Sequence, residues 1–217
     1  MGVFIGIQVA NWNEARGERA DAVVVLDRLE QDFEQILERA DQSLDIHDQN
    51  LKAAGRLILG IRNQALEEET LLADIGAASN FSTFPGTSST FTQLVSSGRL
   101  ELIRSQELRR ALTEYHAYLD FAQSQYGDTF VVPLGEARRT LAKATLVAVT
   151  NSPSAAFGEV GLPDDVDRNM LLTEPDMLTT LQVCYQIQDN IHVVLSRSRG
   201  QVLAILEQIR TEQETAR

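Results

Sequence analysis

The sequence predicts an all-α protein: a long antiparallel, coiled-coil-like helical hairpin bundled with shorter helices at its far end. Three observations carry that expectation. From Glu14 to about Ala77 there is no proline, and apolar residues recur at steps of three and four. A second stretch of the same kind closes the chain, running to about Glu214. No segment shows the sustained period-two alternation of a strand, and no internal repeat is visible. Two long helices at opposite ends of a chain, each with one apolar stripe, pack most simply antiparallel. Helices of that length hold together only where other helices cover the stripe.

The first element is an apolar run, Met1-Gly-Val-Phe-Ile-Gly-Ile-Gln-Val-Ala10, leading into Asn11-Trp-Asn-Glu14. Ten helical residues rise roughly 15 Å, about half of a bilayer core. A secretory signal would carry a basic stretch before the run and a small-residue cleavage site after it, and neither is present. Three readings follow from the residues: a buried core segment, an interfacial anchor, or the second half of a transmembrane helix. Trp12 sits where apolar gives way to charged, the position a membrane–water boundary favours.

The stripe of the first long helix reads Ala22, Leu26, Leu29, Phe33, Ile36, Ala40, Leu44, His47, Leu51, Ala54, Ile58, Ile61, Ala65, Leu72 and Ile75, with an extra step of four near Ala40 that resembles a stutter. The stretch is one helix, or two with a bend near Gly55 and Gly60. Ser79–Ser89 is a turn-rich loop. Thr90–Ser97 reads as a short helix closed by Gly98. Ser105 caps a helix running to about Tyr126 with Leu108, Leu112, Tyr115 and Leu119 on one face. A further helix is expected from about Leu134 to Thr150. Asn151–Leu172, with Pro153, Gly158, Gly161 and Pro163, reads as an irregular excursion carrying at most a short helix. Thr173 reads as the N-cap of the last helix, with Glu174 and Pro175 in its first turn. Its seam is Leu181, Cys184, Gln188, Ile191, Leu195, Ser198, Val202, Ile205 and Ile209. Gln188 and Ser198 are polar seam positions that either fix register or partner choice, or face a neighbour's polar group.

Length and charge bound the function. The chain has 217 residues and a net charge of -12, spread along the helices rather than gathered in a tail. Such a surface repels a phosphate backbone, so nucleic acid is not an expected partner. The single cysteine, Cys184, lies among apolar helix positions and reads as a small buried hydrophobe.

Motifs for chemistry are sparse. Asp189-x-x-His192 places a carboxylate and an imidazole on one helix face, but a bundle metal site needs a second copy and further inward carboxylates. No metal and no cofactor are expected. Glu67-Glu-Glu69 and Asp164-Asp165 read as solvated faces. Tyr115, Tyr118, Phe121 and Tyr126 read as core or helix-interface filler. Ser97, Gly98, Arg99, Glu101 and Arg109 form a possible interaction motif, set against the plainer reading of a helix C-cap with Leu100 and Leu102 folding back onto the bundle and local ion pairs worth little if exposed. No phosphate-binding loop, nucleophile elbow or zinc-protease helix occurs.

With these residues laid out, the chain resembles a family of uncharacterised bacterial single-pass membrane proteins, a domain-of-unknown-function group. The matching stretches are Gly6-Ile-Gln-Val-Ala-Asn-Trp-Asn-Glu14 and Thr90-Phe-Thr-Gln-Leu-Val-Ser-Ser-Gly-Arg-Leu-Glu-Leu-Ile103 followed by Leu108-Arg109. The layout matches over nearly the whole chain. It departs at the front, where the family's basic leader and the first half of the span are missing. The resemblance implies that residues 1–13 are the C-terminal part of a truncated transmembrane helix, with Val3, Phe4, Ile5, Ile7, Val9 and Trp12 as the anchor. It implies that residues 14–217 form a helical domain on the periplasmic side of the bacterial inner membrane. It supplies no activity. The expected function is a membrane-anchored interaction or scaffold module without catalytic activity, engaging lipid through the N-terminal helix and a protein partner or a second copy through the body. The alternatives are a ligand-sensing bundle signalling through a partner, and a metal-binding bundle enzyme resting on Asp189 and His192.

Overall fold

The structure is a computed structural model that describes residues 2–149 and 160–216. It is helical as expected. Helix α1 spans Gly2–Asn63, α2 Glu68–Ala78, α3 Ser89–Ser97, α4 Gln106–Tyr126, α5 Val132–Leu141, α6 Arg168–Thr173 and α7 Met177–Ala216. The contacts group into two compact units, one of residues 1–42, 84–122 and 196–217, the other of residues 43–83 and 123–195.

In the first unit, α1 contributes Leu26, Leu29, Phe33 and Ile36 to a core completed by Phe91 and Leu94 of α3, Leu108, Leu112, Tyr115 and Leu119 of α4, and Val202, Ile205, Leu206 and Ile209 of α7. Phe33 meets the edge of Tyr115 at 5.5 Å between ring centres, a favoured aromatic geometry. Along the rim, Arg210 pairs with Glu30 at 2.8 Å and Glu34 at 3.0 Å, while Gln213 donates to Asp27 and Glu30. Rising numbers on α1 face falling numbers on α7, so the two helices are antiparallel here. Asp32 caps the start of α3: its Oδ2 accepts from Thr90 N at 2.9 Å and from the hydroxyls of Ser88 and Ser89. Burial opposes ionisation of Asp32, but the Thr90 amide and these hydroxyls outweigh it and hold its pKa below the ordinary value.

In the second unit, the first long helix stops at Asn63, short of the expected Ala77. Gln64 takes the left-handed conformation with φ 53°, its N–H bonds Ile61 O, and Ala65 N–H bonds Gly60 O at 2.9 Å. That pair of bonds closes a helix end and reverses the chain. A Cβ on Gly60 would come within 2.8 Å of Leu66 Cδ2 and 3.3 Å of Ala65 O, so a larger residue there would make the Leu66 side chain shift.

The extra step of four near Ala40 is absent. Buried positions of α1 at 22, 26, 29, 33, 36, 40, 43, 47, 50, 54 and 57 alternate steps of four and three, with Ala53 and Gly60 buried beside that stripe. An apolar-only reading chose Leu44 and Leu51, yet Ser43 and Asn50 are the buried ones. Their side chains bond the carbonyls of Thr83 and Asn80, which removes the cost of burying them.

The helix expected to run to Thr150 ends at Leu141. A single 3-10 turn, Ala142–Ala144, leads into strand β1, Thr145–Val149. β1 pairs antiparallel with β2, Val160–Val166, in register Thr145↔Val166 and Val149↔Val160, with irregularities between. Thr145, Val147 and Val149 are β-branched and favour the extended chain, a signal outweighed at first reading by the helical run before it. Residues 150–159 of the expected excursion lie outside the described residues. Nor does Thr173 cap the last helix. It ends α6, which is capped by Asp167, and α7 starts at Met177 with the Thr180 N–H bonding Asp176 O. Between α4 and α5 the chain does not break at Gly127. A five-residue π turn, Gly127–Val131, carries it into Pro133, whose missing N–H is tolerated in the first turn.

Candidate functional site

The residues singled out as an interaction motif share one corner of the first unit. Gly98 ends α3 in the left-handed conformation at φ 68°, with its N–H on Val95 O and that of Arg99 on Leu94 O. Leu102 is buried and Leu100 half-buried, while Ser97 and Glu101 are exposed. Arg99 pairs with Asp21 at 2.6 Å, both about half exposed, and Arg109 donates to Ile103 O at 2.6 Å. The Gly98, Arg99 backbone and Arg109 contacts are local closures of the chain, while the Arg99–Asp21 pair reaches across to α1. Trp12 is 60 % exposed, with the Arg16 guanidinium 5.7 Å from its ring centre. The anchor side chains Val3, Phe4, Ile5, Ile7 and Val9 lie outside the described residues. No helix among the described residues is long and apolar enough to cross a membrane. None of their His, Cys, Asp and Glu side chains form a group able to hold a metal ion, Asp189 and His192 included.

Two buried polar clusters remain. The first, in the second unit, joins His47 and Gln188, both fully buried, at 2.6 Å between Nδ1 and Oε1. An amide oxygen only accepts, so Nδ1 donates. Nε2 then accepts from Ser82 N at 3.4 Å, and the imidazole is neutral. Burial lowers the pKa of His47, with the bonds to Gln188 and Ser82 opposing and His192 adding repulsion. The Gln188 amide donates to Asn80 O at 2.7 Å and Ala78 O at 3.3 Å. Gln188 thus faces a neighbour's polar groups, settling one of the two readings of that seam position. Its amide is spent on His47 and on the carbonyls of Ala78 and Asn80, while Ser82 Oγ in the same cluster is buried without a hydrogen-bond partner.

The second cluster borders an open cleft. In the first unit a cleft of about 420 Å³ opens between the start of the buried stripe of α1 (Arg19, Ala22, Leu26), the N-terminus of α4 (Arg104, Ser105, Glu107) and the last turns of α7 (Glu207, Gln208, Thr211, Glu212, Thr215). Ligand sites commonly have this size. Glu212 is 8 % exposed, and its Oε1 accepts from Arg104 N at 2.6 Å and Ser105 N at 3.2 Å. A carboxylate there satisfies two amides ahead of α4 and opposes the positive end of the helix dipole. Ser105 completes the cap by accepting from Leu108 N at 3.1 Å. The second carboxylate oxygen, Glu212 Oε2, is buried without a hydrogen-bond partner, and so is Gln208 Oε1 one helical turn before it. Two unpaired acceptors in one cleft are unusual in a folded protein.

Glu212 was legible but unread. The α7 seam continues its alternation from Ile209 by a step of three to Glu212, so a charge occupies a core position. A charged residue in phase with a buried stripe is the signal that finds it.

A model of a family of unknown function, DUF6090, matches residues 1–143. The chain belongs to DUF6090. That match takes in both motif stretches, at Gly6–Glu14 and Thr90–Arg109, and stops before α7, so the Glu212 wall of the cleft lies beyond it. No curated protein and no solved structure matches the chain.

Proposed function

We propose that this DUF6090 member is a helical interaction module, held at the bacterial inner membrane by its N-terminal helix, with the body on the periplasmic side and no catalytic activity of its own. The observation that supports it most is the continuity of α1. One helix runs from the apolar first residues through an exposed Trp12 and an exposed stretch at residues 16–21, and its buried stripe begins at Ala22. An exposed helical stretch between an apolar end and a packed stripe suits a stiff spacer between a lipid anchor and a body that binds a protein partner or a second copy.

The test is fractionation of cells expressing the full-length protein, followed by alkaline carbonate washing. The protein is expected in the washed membrane pellet, and the double substitution Phe4→Asp, Ile7→Asp is expected to move it to the soluble fraction, since each charge near a bilayer centre costs about 2.5–3.5 kcal/mol. A wild-type protein in the soluble fraction, or a double variant that stays in the pellet, overturns the tether. A second reading, a ligand-sensing bundle signalling through a partner, is favoured by the cleft of the first unit.

A further inference from the structure

We infer that the cleft between α1, α4 and α7 of the first unit is a binding site for a primary ammonium group carried on a short aliphatic body. This deepens the ligand-sensing reading, yet it rests on the cleft alone and stands or falls without the membrane tether.

Glu212 Oε2 and Gln208 Oε1 are buried acceptors with no donor. Glu212 cannot turn away to find one, because its other oxygen is committed to the amides of Arg104 and Ser105. The two residues stand four apart on α7, on one face of the helix, and line the same cleft, so a ligand that satisfies both acceptors brings at least two N–H or O–H donors. A primary ammonium has three, and its charge answers the carboxylate.

The surroundings narrow the class further. Glu107 and Glu207 also line the cleft against Arg19 and Arg104, so its ionised groups sum to one negative charge, within a chain of net charge -12. An anionic ligand finds its best anchor taken, since Glu212 already fills the N-terminus of α4. Ala22 and Leu26 supply apolar wall for a chain of a few methylenes. The missing donor is not a metal ion, for no group of metal-binding side chains is assembled among the described residues.

A primary ammonium can come from a free alkylamine or from an ethanolamine phospholipid headgroup. Titration calorimetry on the full chain with n-pentylamine, phosphoethanolamine and phosphocholine separates them. Saturable binding of pentylamine or phosphoethanolamine is expected, the tighter of the two naming the source. Phosphocholine keeps the charge but has no N–H, and is expected at least tenfold weaker than phosphoethanolamine. Glu212→Gln keeps an acceptor for the α4 amides and is expected to weaken amine binding at least tenfold with the fold intact. Gln208→Met removes the other acceptor at similar volume and is expected to weaken it severalfold. Failure of both amines to bind, phosphocholine binding as tightly as phosphoethanolamine, or unchanged binding in both variants would each overturn the assignment. None of these results touches the carbonate fractionation, so the two proposals fail separately.

Discussion

Replacing Phe33 with Ala is expected to destabilise the protein by about 3–5 kcal/mol, the range for removing a large aromatic side chain from a tight core. Phe33 has no exposed surface and sits among Leu29, Ile36, Tyr115 and Ile205 in the first unit's core. Its loss leaves the ring of Tyr115 without its edge-on partner. Tyr115 cannot move in to fill the gap, because its hydroxyl donates to Gly86 O at 3.0 Å and that bond fixes the ring. Burial pushes the Tyr115 pKa up to about 12, so the hydroxyl remains a donor across the working pH range. Chemical denaturation of wild type and variant measures the effect. A loss below about 1 kcal/mol would mean that the core collapses onto the space, which its packing does not allow.

Gln188→Leu is expected to cost about 2–3 kcal/mol by a different route. The new side chain is apolar and fits a helix seam, so a purely hydrophobic account expects stabilisation. The hydrogen-bond account expects the reverse. The imidazole N–H of His47 would be left buried with no acceptor, and the carbonyl of Ala78 would lose its side-chain donor. The same cluster sets a pH dependence. Folded His47 takes up a proton less readily than the ordinary value of 6.5. As pH falls below that value the unfolded chain binds the proton first, so stability declines until the folded imidazole itself titrates. Protonation would set two N–H groups against each other at Ser82. His116, also lowered by burial with Asp120 opposing, adds to the same window. Denaturation at pH 7.5 and 5.5 is therefore expected to show a smaller difference for His47→Gln than for wild type. An equal difference would place the titration elsewhere.

Periodicity made the two long helices readable because their stripes are mostly apolar, and Gly98, Ser105 and the heptads of α7 were where the residues said they were. The misreadings of the two stripes share one cause. Ser43, Asn50 and Glu212 are polar residues in core phase, and a reading that counts only apolar side chains steps over them. Their burial depends on partners 30 or more residues away, 108 for Glu212, which no local pattern contains. The break at Gln64 falls four residues past Gly60, close to the bend that the glycines offered, where Leu66 closely approaches Gly60. Cys184, in contrast, was legible from its neighbours: it is fully buried, and burial pushes its thiol up to about 11.

That inert thiol makes a distance measurement practical, since labels go to introduced cysteines rather than to Cys184. Nitroxides at Arg16→Cys and Glu38→Cys, both exposed positions on α1, report on whether the exposed stretch and the packed stripe are one rod. At about 1.5 Å per residue the two positions lie roughly 33 Å apart along the helix. A single narrow distribution centred there, for the full-length protein in lipid, is the expected result. A broad or distinctly shorter distribution would mean that α1 bends or melts before Ala22, and the body would then not be held by a stiff helix.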